Sequence, residues 1–279
     1  MFGREYANHL DILIQSFEQI NENYQNKIKT GSKKNLAEKF KKLYISIFGI
    51  PEIGFQIRGL YFKKILASHL LNKNLKKILD AGSGIGICTF LLATTFPKSQ
   101  VTGIDLDRNK LKSCKIMAEE LKIKNVEFTY LDVLKLSKSD YDLIINIDVL
   151  EHVKNYELVL RNFYSTLNKS GYLYIHVPQP NQKRIFTSFK TWRHEDHVRE
   201  GITRKDLENS LEKLGFKIIV SKETFGFFGK LAWEINHLML TRSFVLAGIT
   251  FPFLFALAIL DPLWKNNDGL GITVLAQKK

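Results

Sequence analysis

The sequence predicts an α/β protein built on a doubly wound parallel sheet. Three observations predict it. From Lys77 onward, short apolar runs alternate with stretches whose apolar residues recur at helical spacing. The first run ends in an aspartate and a glycine-rich turn, Ile78-Leu79-Asp80-Ala81-Gly82-Ser83-Gly84-Ile85-Gly86. The second, Val101–Asp105, again ends in a carboxylate. Glycine lets a ligand approach the backbone closely, and a turn that opens a helix offers free N–H groups. The first crossover therefore reads as a cradle for a nucleotide-like cofactor.

Each element is justified in turn. Strand one is Lys77–Asp80, followed by a helix through Phe90-Leu91-Leu92-Ala93. Strand two, Val101–Asp105, leads into a helix marked by Leu111, Cys114, Ala118 and Leu121. Strand three is Val126–Leu131. Strand four, Tyr141–Ile147, is the near-continuous apolar run of a strand covered on both faces. A helix carrying Val159, Leu160, Phe163 and Leu167 precedes strand five, Gly171–Val177. Thr203 and Asp206 form a T-x-x-D cap before Leu207, Leu211 and Leu214, and strand six is Phe216–Val220. Gly271–Ala276 reads as a last strand.

Before the sheet lies a helical preface. Leu10, Leu13, Ile14, Phe17 and Ile20 predict a helix over 9–20, and Leu36, Phe40, Leu43, Tyr44, Ile47 and Phe48 predict one over 36–48. A polar loop joins them, Pro51 and Gly54 break the chain, and a further helix covers Phe55–Leu71. Within the 279 residues, 45% are hydrophobic and 25% charged, a globular balance. The net charge is +13, and residues 1–76 hold 13 basic against 6 acidic side chains. Such a surface attracts nucleic acid, anionic lipid or an acidic substrate, or is simply solvated. Cys88 and Cys114 suit a reducing compartment, and the N-terminus lacks the pattern of a signal peptide, so the cytoplasm is expected.

The glycine spacing bears on the cofactor. A dinucleotide fingerprint places its third glycine at position 87, which is Ile87. The carboxylate of Asp105 suits a ribose diol, a feature shared by NAD and S-adenosylmethionine.

A set of ordered motifs narrows the choice. Besides the turn over 78–86 these are Gly103-Ile104-Asp105-Leu106-Asp107, Leu131-Asp132-Val133, the segment Tyr141–Val153, Asn168-Lys169-Ser170-Gly171-Tyr172-Leu173, and His197-Val198-Arg199 with Thr203 and Leu214-Gly215-Phe216. Together they resemble a class I S-adenosylmethionine-dependent methyltransferase, near the ubiquinone-pathway O-methyltransferases and the type 11 small-molecule methyltransferases. The resemblance implies a Rossmann-like seven-stranded sheet whose last strand is antiparallel. It implies that Asp80, with Gly82, Gly84 and Gly86, holds the methionine end, Asp105 the ribose, Leu106 the adenine face, and Asp132 and Val133 the adenine edge. Ile147 would supply backbone contacts, and Arg58 is the candidate for the methionine carboxylate, where a guanidinium fork suits it. Asp132 and Asp148 are equally placed to cap helices. The product would be S-adenosylhomocysteine.

Methyl transfer from a sulfonium is an in-line displacement that a base assists when the acceptor is a hydroxyl. His152, His176, His194 and His197 lie near strand C-termini, with His197 and His152 the preferred catalytic residues. The ubiquinone-pathway enzymes carry a metal-binding Glu-x-x-Glu-His at this segment, which makes Asp148, Glu151 and His152 candidate ligands. A small or lipid-linked acceptor is expected. No Asn-Pro-Pro-Tyr type motif follows strand four, which counts against a nucleic-acid substrate. The alternatives are an NAD-dependent oxidoreductase or epimerase, and a non-catalytic cofactor-binding partner protein.

The domain reading is a cap over 1–76, a core over 77–221, an apolar insertion over 222–270 and the last strand over 271–279. The insertion contains an uncharged run, Phe244–Leu260, interrupted by Pro252. If strands six and seven share a sheet, a single membrane crossing between them is ruled out. A helical hairpin, a core helix or a peripheral contact with the anionic inner membrane face is left.

Overall fold

A computed structural model describes residues 34–137, 139–186 and 197–279. The helix expected over 9–20 and His194 lie outside the described residues. The preface is helical where described, with α1 (Lys34–Phe48) and α2 (Ile53–Ile65), the latter continued by a π-turn over Leu66–Leu70. The buried Glu52 starts α2. Its carboxylate accepts the N–H groups of Gly54 at 2.8 Å and Phe55 at 2.7 Å, donors that a helix start otherwise leaves unpaired.

Seven strands form one sheet: β1 (Lys77–Ala81), β2 (Gln100–Asp105), β3 (Val126–Tyr130), β4 (Tyr141–Ile147), β5 (Leu167–Pro178), β6 (Phe216–Thr224) and β7 (Gly271–Lys278). Their order is β3-β2-β1-β4-β5-β7-β6. β1 pairs in parallel with β2 and β4, whereas β7 is antiparallel to both β5 and β6. The doubly wound sheet with an antiparallel last strand is thus the observed fold. Strand order reverses between β1 and β4, so a crevice opens beyond their C-terminal ends.

The connecting helices are α3 (Ile87–Thr95), α4 (Arg108–Glu120), α5 (Tyr156–Thr166) and α6 (Arg204–Lys213). Val159, Phe163, Leu207 and Leu211 of α5 and α6 pack on one face of the sheet. Phe62 and Leu66 from the preface, with Leu92, Leu111 and Met117 from α3 and α4, cover the other. Ile78, Leu79, Leu143, Ile144 and Ile145 are fully buried between these layers, which accounts for their unbroken apolar run.

β6 runs on to Thr224, past Val220, because Lys222 pairs with Thr273 and Thr224 with Gly271. The strand therefore crosses the 221/222 boundary read from the sequence. The insertion that follows is a helical hairpin of α7 (Phe227–Arg242) and α8 (Phe244–Leu260), closed by a 3-10 turn over Asp261–Leu263. It leaves the C-terminal end of β6 and returns to the start of the antiparallel β7, so it stands at the crevice edge of the sheet. Its core joins Ile53, Ile57 and Tyr61 of α2 to Ala232, Phe251 and Leu254.

Buried polar groups pin the hairpin in place. The Asp261 carboxylate accepts the Tyr61 hydroxyl at 2.9 Å and the Gly229 N–H at 2.9 Å. Asn236 accepts the Ile53 N–H at 3.0 Å and donates to the Pro51 carbonyl at 3.2 Å. Asn236→Ala leaves both backbone groups buried without a partner. It is expected to lower unfolding stability by roughly 2 kcal/mol, read as a shift of the urea midpoint.

Candidate active site

Beyond β1 the chain turns through Gly82 at φ 90°, Gly84 at φ 53° and Gly86 at φ 82°. A Cβ on Gly82 would collide with Val149, because the loop after β4 closes against it. A Cβ on Gly84 would meet no protein atom within 4 Å. Gly84 therefore faces the open crevice, where a ligand can lie directly on the backbone.

The donors of this turn are already engaged. Gly82 and Ser83 N–H both donate to the Ile104 carbonyl, at 2.8 and 2.9 Å, and Gly86 N–H donates to Ser83 at 2.8 Å. Gly84 N–H donates to Asp105 Oδ2 at 2.8 Å. This corrects the expectation of free N–H groups at these four positions. A pyrophosphate needs such donors. A cofactor without phosphate does not, and the closed turn fits S-adenosylmethionine better than a dinucleotide.

The carboxylates of the crevice take different roles. Asp80 turns inward, where its Oδ2 accepts the Thr89 hydroxyl at 2.6 Å. Burial, with a smaller contribution from the charge of Asp105, raises its pKa to about 7 against the opposing Thr89 bond. Asp105 is half-buried, and its Oδ1 accepts the Asp107 N–H at 2.9 Å. Each of its oxygens keeps a second lone pair for a ribose diol. Leu106 beside it is 56% exposed, an apolar seat beyond the strand end. Asp132 does cap, its Oδ1 accepting the Leu134 N–H at 2.9 Å, with Val133 buried next to it. Ile147 closes β4 half-buried. Asn146, which the sequence reading passed over as one residue in an apolar run, donates to the Ala81 carbonyl at 2.7 Å and ties β4 to the end of β1.

Arg58 reaches the same region from α2. Its Nε forms an ion pair with Asp148, whose other oxygen lies 2.6 Å from His176 Nδ1. His176 Nε2 in turn lies 2.9 Å from the Thr224 hydroxyl. Burial pushes the Asp148 carboxyl up, but Arg58 and His176 outweigh it and hold the group below the ordinary carboxylate range. Burial also opposes the charge on Arg58, and Asp148, Glu52 and Glu151 together hold it above its ordinary value. His176, one of the four histidines singled out, is 2% exposed, and both its ring nitrogens are engaged, by Asp148 and Thr224.

The 3-10 turn Leu150–His152 follows. Glu151 is 1% exposed, its Oε2 has no hydrogen-bond partner, and burial followed by the charge of Asp148 pushes its pKa well up. The rings of His152 and His197 stand edge to face at 4.6 Å. One ligand atom from each of Glu151, His152 and His197 lies within 4.8 Å of the others. Asp148 is not part of this cluster, since Arg58 and His176 hold it, and His197 takes the third place. Arg199 braces the turn by donating to the Leu150 and Val153 carbonyls, each at 2.6 Å.

This sheet order, the closed glycine turn and the acidic end of β2 define a class I S-adenosylmethionine-dependent methyltransferase. The chain belongs to that class: a family model described as a methyltransferase domain matches residues 72–215, just over half of it. It is similar to (S)-coclaurine N-methyltransferase of Papaver somniferum, 28% identical over 104 residues, covering 37% of this chain and 30% of that protein. It is also similar to malonyl-[acyl-carrier protein] O-methyltransferase of Bacillus cereus, 33% identical over 98 residues, 35% of each. The match thus spans about a third of the length of these curated relatives. Among solved structures, phosphoethanolamine N-methyltransferase 2 of Haemonchus contortus, in complex with S-adenosylmethionine, aligns with a TM-score of 0.58 at 17% identity. That alignment covers 90% of this chain and 60% of the other, and it shows the shared fold.

Two outcomes test the site. Gly84→Ala should fold, with left-handed strain of roughly 1 kcal/mol, yet bind S-adenosylmethionine at least about tenfold more weakly by calorimetry, an effect of about 1.4 kcal/mol. Gly82→Ala should instead lower the melting temperature, because it drives Val149 away. The second concerns pH. The folded Asp80 carboxyl, at about 7, keeps its proton above the unfolded pKa. Its contribution to stability is therefore full below the unfolded value of about 3.9 and is lost as pH rises to about 7. Thermal melts across that window should show a shallower decline in Asp80→Asn.

Proposed function

We propose that the protein moves the methyl group of S-adenosylmethionine to a hydroxyl oxygen of a small or lipid-like acceptor, releasing S-adenosylhomocysteine. The observation that carries this reading is the pair His152 and His197 beside the buried Glu151, one turn beyond the end of β4. Methyl donors and acceptors react in line: the new O–C bond forms as the C–S bond breaks, and the sulfur leaves neutral. The donor is already activated, so the protein's work is alignment and removal of one proton. A histidine of the pair takes the hydroxyl proton. Relatives named for N- and for O-methylation both match the chain, and a base placed at the crevice favours the weaker nucleophile, a hydroxyl.

The remaining residues hold the donor. Asp105 accepts the ribose hydroxyls, Leu106 packs on the adenine face, and Asp132, with Val133 beside it, accepts the adenine amino group through the oxygen not used in capping. Asp80, Gly82 and the Ile147 backbone border the methionine end, and Arg58 shares its guanidinium between Asp148 and the methionine carboxylate. The hairpin and the preface cover the acceptor. The unlinked Cys88 and Cys114 support a cytoplasmic enzyme.

A second reading of the same cluster is a divalent cation held by Glu151, His152 and His197, which would acidify a bound hydroxyl. The mutual approach of their ligand atoms favours it. Titration of the protein with Mg²⁺ and Zn²⁺ against Glu151→Gln separates a cation site from a proton acceptor.

The main experiment is incubation with methyl-labelled S-adenosylmethionine and a lipid-plus-metabolite extract, followed by identification of the labelled product. His152→Ala and His197→Ala should each lower kcat by roughly 100-fold or more with cofactor affinity unchanged. Cofactor binding with no labelled product would favour the non-catalytic alternative.

A further inference from the structure

The helix α8 is apolar on every side, yet among the described residues only one of its sides is covered. Ala247, Phe251, Leu254 and Ala258 are buried against α2 and α7. They recur at intervals of four, three and four residues, so they form a single stripe. On the opposite side Val245 is 67% exposed, Ile249 63% and Phe253 77%, and the same stripe continues through Leu260, Leu263 and Trp264. The Thr250 hydroxyl is turned back onto the Leu246 carbonyl at 2.9 Å, so it adds no polarity to this side. An apolar helix face of this kind is either covered or in contact with a non-aqueous phase.

The charges around the face select the phase. Arg242 and Lys265 stand exposed at its two ends, and Lys64 donates to the Pro262 carbonyl at 2.7 Å beside Leu263. Between Arg242 and Asn267 the sequence holds one acidic residue, Asp261, and it is fully buried and engaged by Tyr61 and Gly229. A second copy of the chain placed on this face would oppose cation to cation. An anionic lipid surface complements it, and Trp264 sits at the rim, where an indole prefers the headgroup level.

Topology fixes the mode of contact. The stretch Val245–Leu263 is long and apolar enough to cross a membrane by length and composition, but β6 and β7 on either side of the hairpin pair in one sheet, which rules out a single crossing. The partner of α8, helix α7, buries Lys230, Glu234 and Asn236 inside the protein and cannot enter lipid with it. We propose that α8 lies in the plane of an anionic phospholipid bilayer, with Val245, Ile249 and Phe253 in the acyl boundary and Arg242, Lys64 and Lys265 on the headgroups. This places the crevice, at whose edge the hairpin stands, beside the membrane surface.

The test is flotation of the whole chain with vesicles of phosphatidylcholine alone and with 30% phosphatidylglycerol. Binding should appear with the anionic vesicles at low salt and weaken as salt rises. Ile249→Glu/Phe253→Glu should bind at least about tenfold more weakly, and Arg242→Glu/Lys265→Glu should lose the preference for anionic lipid. Both exposed pairs should keep the native melting temperature and cofactor affinity, which separates this result from any failure of catalysis. Trp264 should also become protected from a water-soluble quencher on binding. Failure of the folded protein to float with either vesicle overturns the proposal. So does a dimer in ultracentrifugation that Phe253→Glu dissociates while vesicle binding is unchanged.

Discussion

A guanidinium placed against a protein core must be met by charge, and the pairing of Arg58 with Asp148 meets it. That one contact joins three separate parts of the chain. Arg58 comes from the preface, Asp148 from the end of β4, and Asp148 passes the interaction to His176 on β5 and thence to Thr224 at the end of β6. The chain of contacts therefore runs along the crevice edge from the end of β4 to the end of β6. It also explains why Asp148 tolerates a left-handed φ of 52°, uncommon for a residue with a side chain. An ion pair with Arg58 and a hydrogen bond with His176 fix its carboxylate, and the backbone follows. Removing either partner would leave the other charge uncompensated, so the preface is part of the site's frame and not an appendage to it.

With that edge fixed, the glycine turn needs to supply shape more than charge. Its N–H groups close on Ile104, Ser83 and Asp105, and the turn is rigid before any ligand arrives. Asp105 thereby does two things: it holds Gly84 and presents its remaining lone pairs to the crevice. A preformed turn of this sort suits a cationic cofactor. The positive charge of a sulfonium gains nothing from unfilled N–H donors, and Asp105 sets a carboxylate beside the turn. The same arrangement would repel a pyrophosphate. The distinction between the two cofactor classes thus lies in where the donors point, and the glycine spacing alone shows it weakly.

The strands and the ends that carry Asp105 and Asp132 were legible because a buried parallel sheet writes itself as apolar runs with polar stops. The capping residue Thr203 was legible for the same local reason, whereas the Asp107 cap of α4 was not read. What the sequence concealed was everything set by contact across elements. The burial of His176 and the replacement of Asp148 by His197 beside Glu151 both depend on which distant side chain arrives first. Arg58 lies far from Asp148 along the chain, and no periodicity records their meeting. The extension of β6 to Thr224 was hidden because Ser221–Thr224 is polar. Its pairing is imposed by β7 and not by its own composition.

The antiparallel entry of β7 between β5 and β6 sets what the insertion can become. A chain that must leave one strand and return to its neighbour at the same end of a sheet can only fold out and back. The outgoing helix α7 turns polar side chains inward, with Glu234 accepting the Ile185 and Phe186 N–H groups and Asn236 holding the start of α2. The returning helix α8 has no such duties, and it carries more apolar surface than α2 and α7 can cover. A core extension would have matched the second helix to the area available beneath it. Here Ala247, Phe251, Leu254 and Ala258 face in, while Val245, Ile249 and Phe253 face outward, so one stripe of α8 meets its support and the other is left uncovered by it. The packing constraint that seats the hairpin over the crevice is therefore the same one that exposes its apolar face.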